Sequence, residues 1–120
     1  MSFEVILYET QDGECPVETF LNGLDVKMRA KIAQMIGILE EKGKELREPY
    51  SKPLTDGIFE LRIKFGSNIS RVLYFFVIGN KIILTNGFIK KTQKTPPGEI
   101  AKAKRYRDDY LKRSKDGKEN

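Results

Sequence analysis

Apolar residues along this chain recur with two different periods, and the switches between them mark the elements. Phe3 to Tyr8 (FEVILY) is short, β-branched and aromatic, and the turn-forming Gln11-Asp12-Gly13 follows it, which predicts a strand. The period then lengthens. Val17, Phe20 and Leu21 form the stripe of a short helix, with Pro16 in its first turn and Gly23 as the left-handed residue that closes it. Asp25 caps a longer helix, in which Met28, Ile32, Met35, Ile36 and Leu39 recur at helical spacing until Gly43 ends it. Pro49-Tyr50-Ser51-Lys52-Pro53 reads as a loop, and Thr55-Asp56-Gly57 as a turn. Three strands follow, approximately 58–65, 69–78 and 81–90, with Gly66-Ser67-Asn68 and Gly79-Asn80 between them, short enough for hairpins. Thr95-Pro96-Pro97-Gly98 stops the sheet. A last helix begins there, with Thr95 as its cap and Ile100, Ala103, Tyr110 and Leu111 as its apolar stripe.

The order β-α-α-β-β-β-α predicts a single α+β domain over residues 1–113. Its sheet is expected to be four-stranded and mainly antiparallel, with the two N-terminal helices on one face and a C-terminal helix after it. The other face is expected to be open, and the place of the first strand is not set by pattern. Residues 114–120 read as a disordered polar tail.

Composition sharpens this picture in two ways. The chain has one cysteine, Cys15, and no histidine, which excludes an internal disulfide and the usual zinc sites and fits a reducing compartment. With no secretory pattern in MSFEVILYET and no apolar run of membrane-spanning length, a cytoplasmic protein without membrane or small-molecule cofactor is expected. Charge is segregated: residues 1–60 hold seven basic against twelve acidic side chains, and residues 61–120 hold fifteen against five. A polyanionic partner for the second half follows from that asymmetry.

Alternation in the first of the three later strands puts Phe59, Leu61, Ile63 and Phe65 on one face and Glu60, Arg62 and Lys64 on the other. Arg62 and Lys64 are either a solvated face paired with Glu60 or ligands of a phosphate. Arg71 opens an almost wholly apolar strand, so it needs a partner, either a carboxylate such as Glu60 or a bound phosphate. Lys90 shares the parity of Leu84, Asn86 and Phe88, and Lys91 points the other way. Tyr74 either stacks a base or fills the core, and Tyr106 and Tyr110 carry the same ambiguity. A cluster of Arg62, Lys64, Arg71, Lys90 and Lys91 offers the cations that stabilise a phosphorane during attack by a ribose 2′-hydroxyl, with a clustered lysine, a tyrosine or a carboxylate as proton acceptor. Convergent carboxylates for a two-metal nuclease are few in the basic half.

The ELR strand at Glu60 to Arg62, the R-x-x-Y-F at Arg71 to Phe75, and F-x-K-K-T with T-P and E-I-x-x-A over Phe88 to Ala103 stand in order. In these the chain resembles the RelE/HigB superfamily of toxin-antitoxin ribonucleases, especially its phage-derived HigB-like branch. The resemblance implies a RelE-like single domain and a metal-independent endoribonuclease that enters the 70S ribosome and cuts mRNA in the A site. It also implies a cognate antitoxin, often a helix-turn-helix protein. Carried over by position, Arg62 and Lys64 are phosphate ligands, with Lys64 also a general-base candidate, and Arg71 stabilises the transition state. Lys90 and Lys91 match a basic pair that contacts phosphate or supplies an acid. RNA contacts are expected from Tyr74, Lys94, Lys102, Arg105 and Tyr106. Two alternatives are a nucleic-acid-binding module without catalysis and a ParE-like inhibitor of gyrase on the same fold.

Overall fold

Residues 2–90 and 94–115 are the part of the chain that the computed structural model describes. Along them run β1 (Glu4–Leu7), α1 (Pro16–Asn22), α2 (Val26–Lys42), a 3₁₀ turn at Gly43–Glu45, β2 (Ser51–Thr55), β3 (Ile58–Phe65), β4 (Asn68–Val77), β5 (Lys81–Lys90) and α3 (Pro97–Lys115). The strands form one mixed sheet in the order β1-β5-β4-β3-β2. β1 lies parallel to β5, and the other neighbours are antiparallel. None of the described helices is long and apolar enough to cross a membrane.

Two apolar layers sandwich the sheet. Leu61, Ile63, Val72, Tyr74, Ile82 and Leu84 meet Val17 of α1 and Met28, Ile32, Met35 and Leu39 of α2, the stripe that helical spacing predicted. Ile58, Leu73, Phe75 and Ile83 point the other way and meet Ala103 and Tyr110 of α3. The face expected to be open is therefore covered by α3, whose apolar stripe needs a surface to bury against.

The sheet has five strands rather than four because Ser51–Thr55, which spans the end of the expected loop 49–53 and the first residue of the expected turn 55–57, pairs with β3. Proline is tolerated on an outermost strand, where its missing N–H faces solvent, and Lys52 and Pro53 are exposed there. Asp56 and Gly57 both have positive φ, the geometry of a tight hairpin between β2 and β3. Asp25 caps α2 as expected, its carboxylate accepting from the Met28 amide at 2.8 Å. Gly23 ends α1 with φ −86°, so the left-handed closure expected of it is not used. Helix α3 runs to Lys115, past the expected boundary at 113, and 116–120 of the expected tail lie outside the described residues.

Gly43 and Gly87 are required by close approach. Gly43 has φ 54°, and a Cβ there would meet the Phe3 ring. At Gly87 a Cβ would lie 2.5 Å from the ring of Phe20, so α1 rests directly on the β5 backbone. A bulge at Thr85 shifts the β4–β5 register between Leu73↔Asn86 and Tyr74↔Leu84. Leu84 consequently packs with the α2 layer, whereas Asn86 bonds to α3. Simple alternation had placed Leu84, Asn86 and Phe88 on one face, and the extra residue breaks that parity.

Candidate functional site

Antiparallel register brings the chemistry together. Arg62 of β3 lies directly opposite Arg71 of β4, and the next residues of the same parity, Glu60 and Leu73, are also paired. Opposed residues share a face, so two guanidiniums and one carboxylate form a tight group on the α3 side. Glu60 is fully buried. Its Oε1 receives Arg62 Nε at 3.2 Å, its Oε2 faces Arg71 Nε at 3.5 Å, and the Thr95 hydroxyl donates to Oε2.

Arg71 is only 5% exposed, and its Nε–H has no hydrogen-bond partner. Burial pushes its guanidinium below the ordinary arginine range, Glu60 opposes that shift, and the neighbouring Arg62 adds to it. One carboxylate thus serves two guanidiniums, leaving an excess of positive charge in a desolvated place. Such an arrangement favours a further anion.

A cleft of about 400 Å³ opens at the outer edge of β3, where β2 has ended. Its lining is Lys31 and Met35 of α2, Pro49 and Tyr50, Arg62, Ile63 and Lys64 of β3, and Ile69 and Arg71 of β4. Four of these are cations and none is a carboxylate. Arg62 also lines a smaller hollow of about 230 Å³ with Lys52, Lys94 and Thr95. Among the described residues, no group of three or more His, Cys, Asp or Glu side chains converges to hold a metal ion.

Of the residues singled out in the sequence, Arg62, Lys64 and Arg71 are brought together at this cleft. The backbone of Lys90 ends β5 opposite Ile69, but its side chain and the whole of Lys91 lie outside the described residues. Lys94 borders the smaller hollow. Tyr74 cannot stack a base: it is 1% exposed in the α2 layer, on the opposite face, with its hydroxyl on Ser51 and its ring on Phe59 at 5.5 Å. Tyr106 stacks on Tyr8 at 4.7 Å, and Tyr110 is buried against Phe75. Both therefore serve the α3 interface.

Part of the basic surface of α3 is tied into ion pairs. Arg107 binds Asp56 and Asp108, Arg113 binds Asp109, and Lys102 lies 3.7 Å from Glu99. Glu99 in turn accepts from the Asn86 side chain at 2.9 Å, which fixes the start of α3 over the bulge. Arg105 is exposed.

Sequence reasoning missed Lys31, Tyr50 and the role of Thr95, which was expected only as a helix cap. Lys31 stands one helical turn before Met35 on the flank of the buried stripe, where a lysine keeps its stem on apolar surface and its amine in water. That position was a usable signal. Tyr50 carried none, because its place depends on the pairing of β2.

A comparison with known protein families matches residues 19–108 to a family described as phage derived protein Gp49-like (DUF891). No curated protein matches the chain.

Proposed function

The chain belongs to the phage-derived Gp49-like family, a RelE/HigB-like toxin family, and from that premise we propose that it is a toxin that cleaves mRNA on the ribosome. The family is associated with toxin endoribonuclease activity and implies an antitoxin partner. For this chain we take that partner to be a helix-turn-helix protein. The observation that carries the reading is the Arg62–Arg71 pair on one buried carboxylate, opening into a cleft that, among the described residues, is lined by cations and no carboxylate.

In the scheme we propose, side chains of this chain supply every proton transfer and the charge stabilisation. The ribose 2′-hydroxyl attacks the adjacent phosphorus, the bond to the 5′-oxygen breaks, and the products are a 2′,3′-cyclic phosphate and a 5′-hydroxyl. Negative charge grows on the non-bridging oxygens, and Arg62 and Arg71, already oriented by Glu60, meet it without reorganising. Guanidiniums keep their protons, so among the described cations of the cluster Lys31 and Lys64 alone can exchange one. Lys64, which shares the parity of Arg62 on β3, takes the 2′-hydroxyl proton in this scheme as its neutral amine, becoming an ammonium, and the ammonium of Lys90 or Lys91 gives one to the departing 5′-oxygen.

Primer extension on a defined mRNA in a cell-free translation system tests the reading, with a parallel reaction lacking ribosomes. Cuts in codon register that require ribosomes, and that vanish with Arg62→Ala, are expected. Intact mRNA would refute cleavage. Unbroken mRNA with gyrase inhibited would point to the ParE-like activity, and RNA binding without cuts to a non-catalytic module.

A further inference from the structure

The cleft beside Arg62 has a second half that phosphate chemistry does not explain. Met35, Pro49 and Ile63 give it apolar walls, and Tyr50 stands at its rim 52% exposed. An exposed tyrosine on a loop is ordinary, but this one sits on a fixed backbone. Its N–H donates to the Arg47 carbonyl at 2.9 Å, and its carbonyl accepts from the Arg62 N–H at 2.8 Å. The backbone that carries the ring is therefore held beside Arg62. Lys31 approaches from α2 and adds a fourth cation.

A bare phosphate would need only the cations. An apolar wall and an exposed aromatic ring next to cations suit a nucleotide, whose base has a flat apolar face and whose backbone carries one charge. The volume, about 400 Å³, falls in the range of small-ligand sites, roughly 300–1,000 Å³. Among the described residues no strand pairs with the outer edge of Ile63–Phe65, so no neighbouring strand covers that edge beside the cleft. The unpartnered Nε–H of the buried Arg71 lies at the same site.

We propose that this cleft holds one nucleotide of a single-stranded RNA, its base stacked on Tyr50 and its phosphate held by Lys31 together with the arginine pair. The choice of RNA rests on the reading given under Proposed function. Tyr50 and Lys31 are binding residues that set where the message lies, and they take no part in the bond changes.

The test is fluorescence anisotropy of a labelled short oligouridylate titrated with the full chain at low salt, beside an oligodeoxynucleotide of matching sequence. Tyr50→Ala and Tyr50→Leu are expected to weaken RNA binding by ~10-fold, the loss of one base–aromatic stack, while Tyr50→Phe binds as the unmodified chain does. Lys31→Gln is expected to weaken binding and to reduce the salt slope by ~0.7, the value for one phosphate on a single strand. Tighter binding of RNA than DNA supports the choice of RNA, and equal or tighter DNA binding overturns it. Unmodified affinity in both the Tyr50 and Lys31 variants, or no binding by the unmodified chain, overturns the cleft assignment. The ribosome assay separates the two readings. Intact mRNA with Tyr50-dependent oligonucleotide binding sinks cleavage and keeps the cleft, whereas cleavage with Tyr50-independent binding does the reverse.

Discussion

Replacing Glu60 with glutamine removes one negative charge from beneath two guanidiniums and leaves the shape of the side chain in place. Arg62 has 22% of its side chain exposed and can turn toward water, so its share of the loss is small, ~0–1 kcal/mol. Arg71 has no such escape at 6% exposure. Breaking a buried ion pair from one side costs ~3–5 kcal/mol because the remaining charge is left uncompensated. That is a large share of the ~5–15 kcal/mol expected of a whole domain. Arg71→Met is expected to cost less, ~1–3 kcal/mol, since Glu60 keeps Arg62 and the Thr95 hydroxyl. The double variant removes both buried charges, so its loss is expected to fall short of the sum by ~1 kcal/mol or more. Urea denaturation followed by circular dichroism measures all three. A Glu60→Gln loss below ~1 kcal/mol, or strict additivity in the double variant, would refute the claim that this carboxylate holds Arg71 in place.

Four further outcomes are expected. Arg62→Ala should reduce ribosome-dependent cleavage by ~10²–10³-fold with an unchanged denaturation midpoint, as for loss of one charge-stabilising group; a comparable loss of stability would mark Arg62 as structural. Lys64→Arg keeps a cation at the position but offers no neutral amine to accept a proton, so cleavage should fall as far as in Lys64→Ala while oligonucleotide binding survives; full activity in Lys64→Arg would remove Lys64 as the proton acceptor. Burial, then the hydrogen bond to Asp109, pushes the Tyr8 phenol up from 10.0 to about 12. The folded state thus favours the neutral phenol, and this contribution to stability is complete below pH ~10 and lost as pH rises through about 12. A tyrosinate absorbance titration should lose a step near pH 12 in Tyr8→Phe, and an unchanged curve would contradict the assignment. Gly43→Ala should destabilise by ~1–3 kcal/mol, because a Cβ meets the Phe3 ring and the backbone φ is 54°; a melting temperature equal to that of the unmodified chain would show that Phe3 yields freely.

Local pattern decided the helices and the hairpins of this protein. The spacing of Met28, Ile32, Met35 and Leu39 names the buried stripe of α2, and Asp25 caps it, because both signals act within a turn or two of helix. The turns at Asp56-Gly57 and Gly79-Asn80 are likewise written in residues that adopt positive φ. Alternation on β3 identified the surface shared by Glu60, Arg62 and Lys64, and the apolar run after Arg71 announced that this arginine needs a partner. Tertiary structure decided that Glu60 is the carboxylate beside it, since that depends on the register of β3 against β4. It also decided that β2 is a strand, that β1 joins β5, and that α3 covers the second face, all pairings between segments distant along the chain. The bulge at Thr85 and the burial of Tyr74 follow from those pairings, as does the meeting of Lys31, Tyr50 and Arg62 at one cleft. Periodicity reports which face of an element is apolar; only packing reports what that face meets.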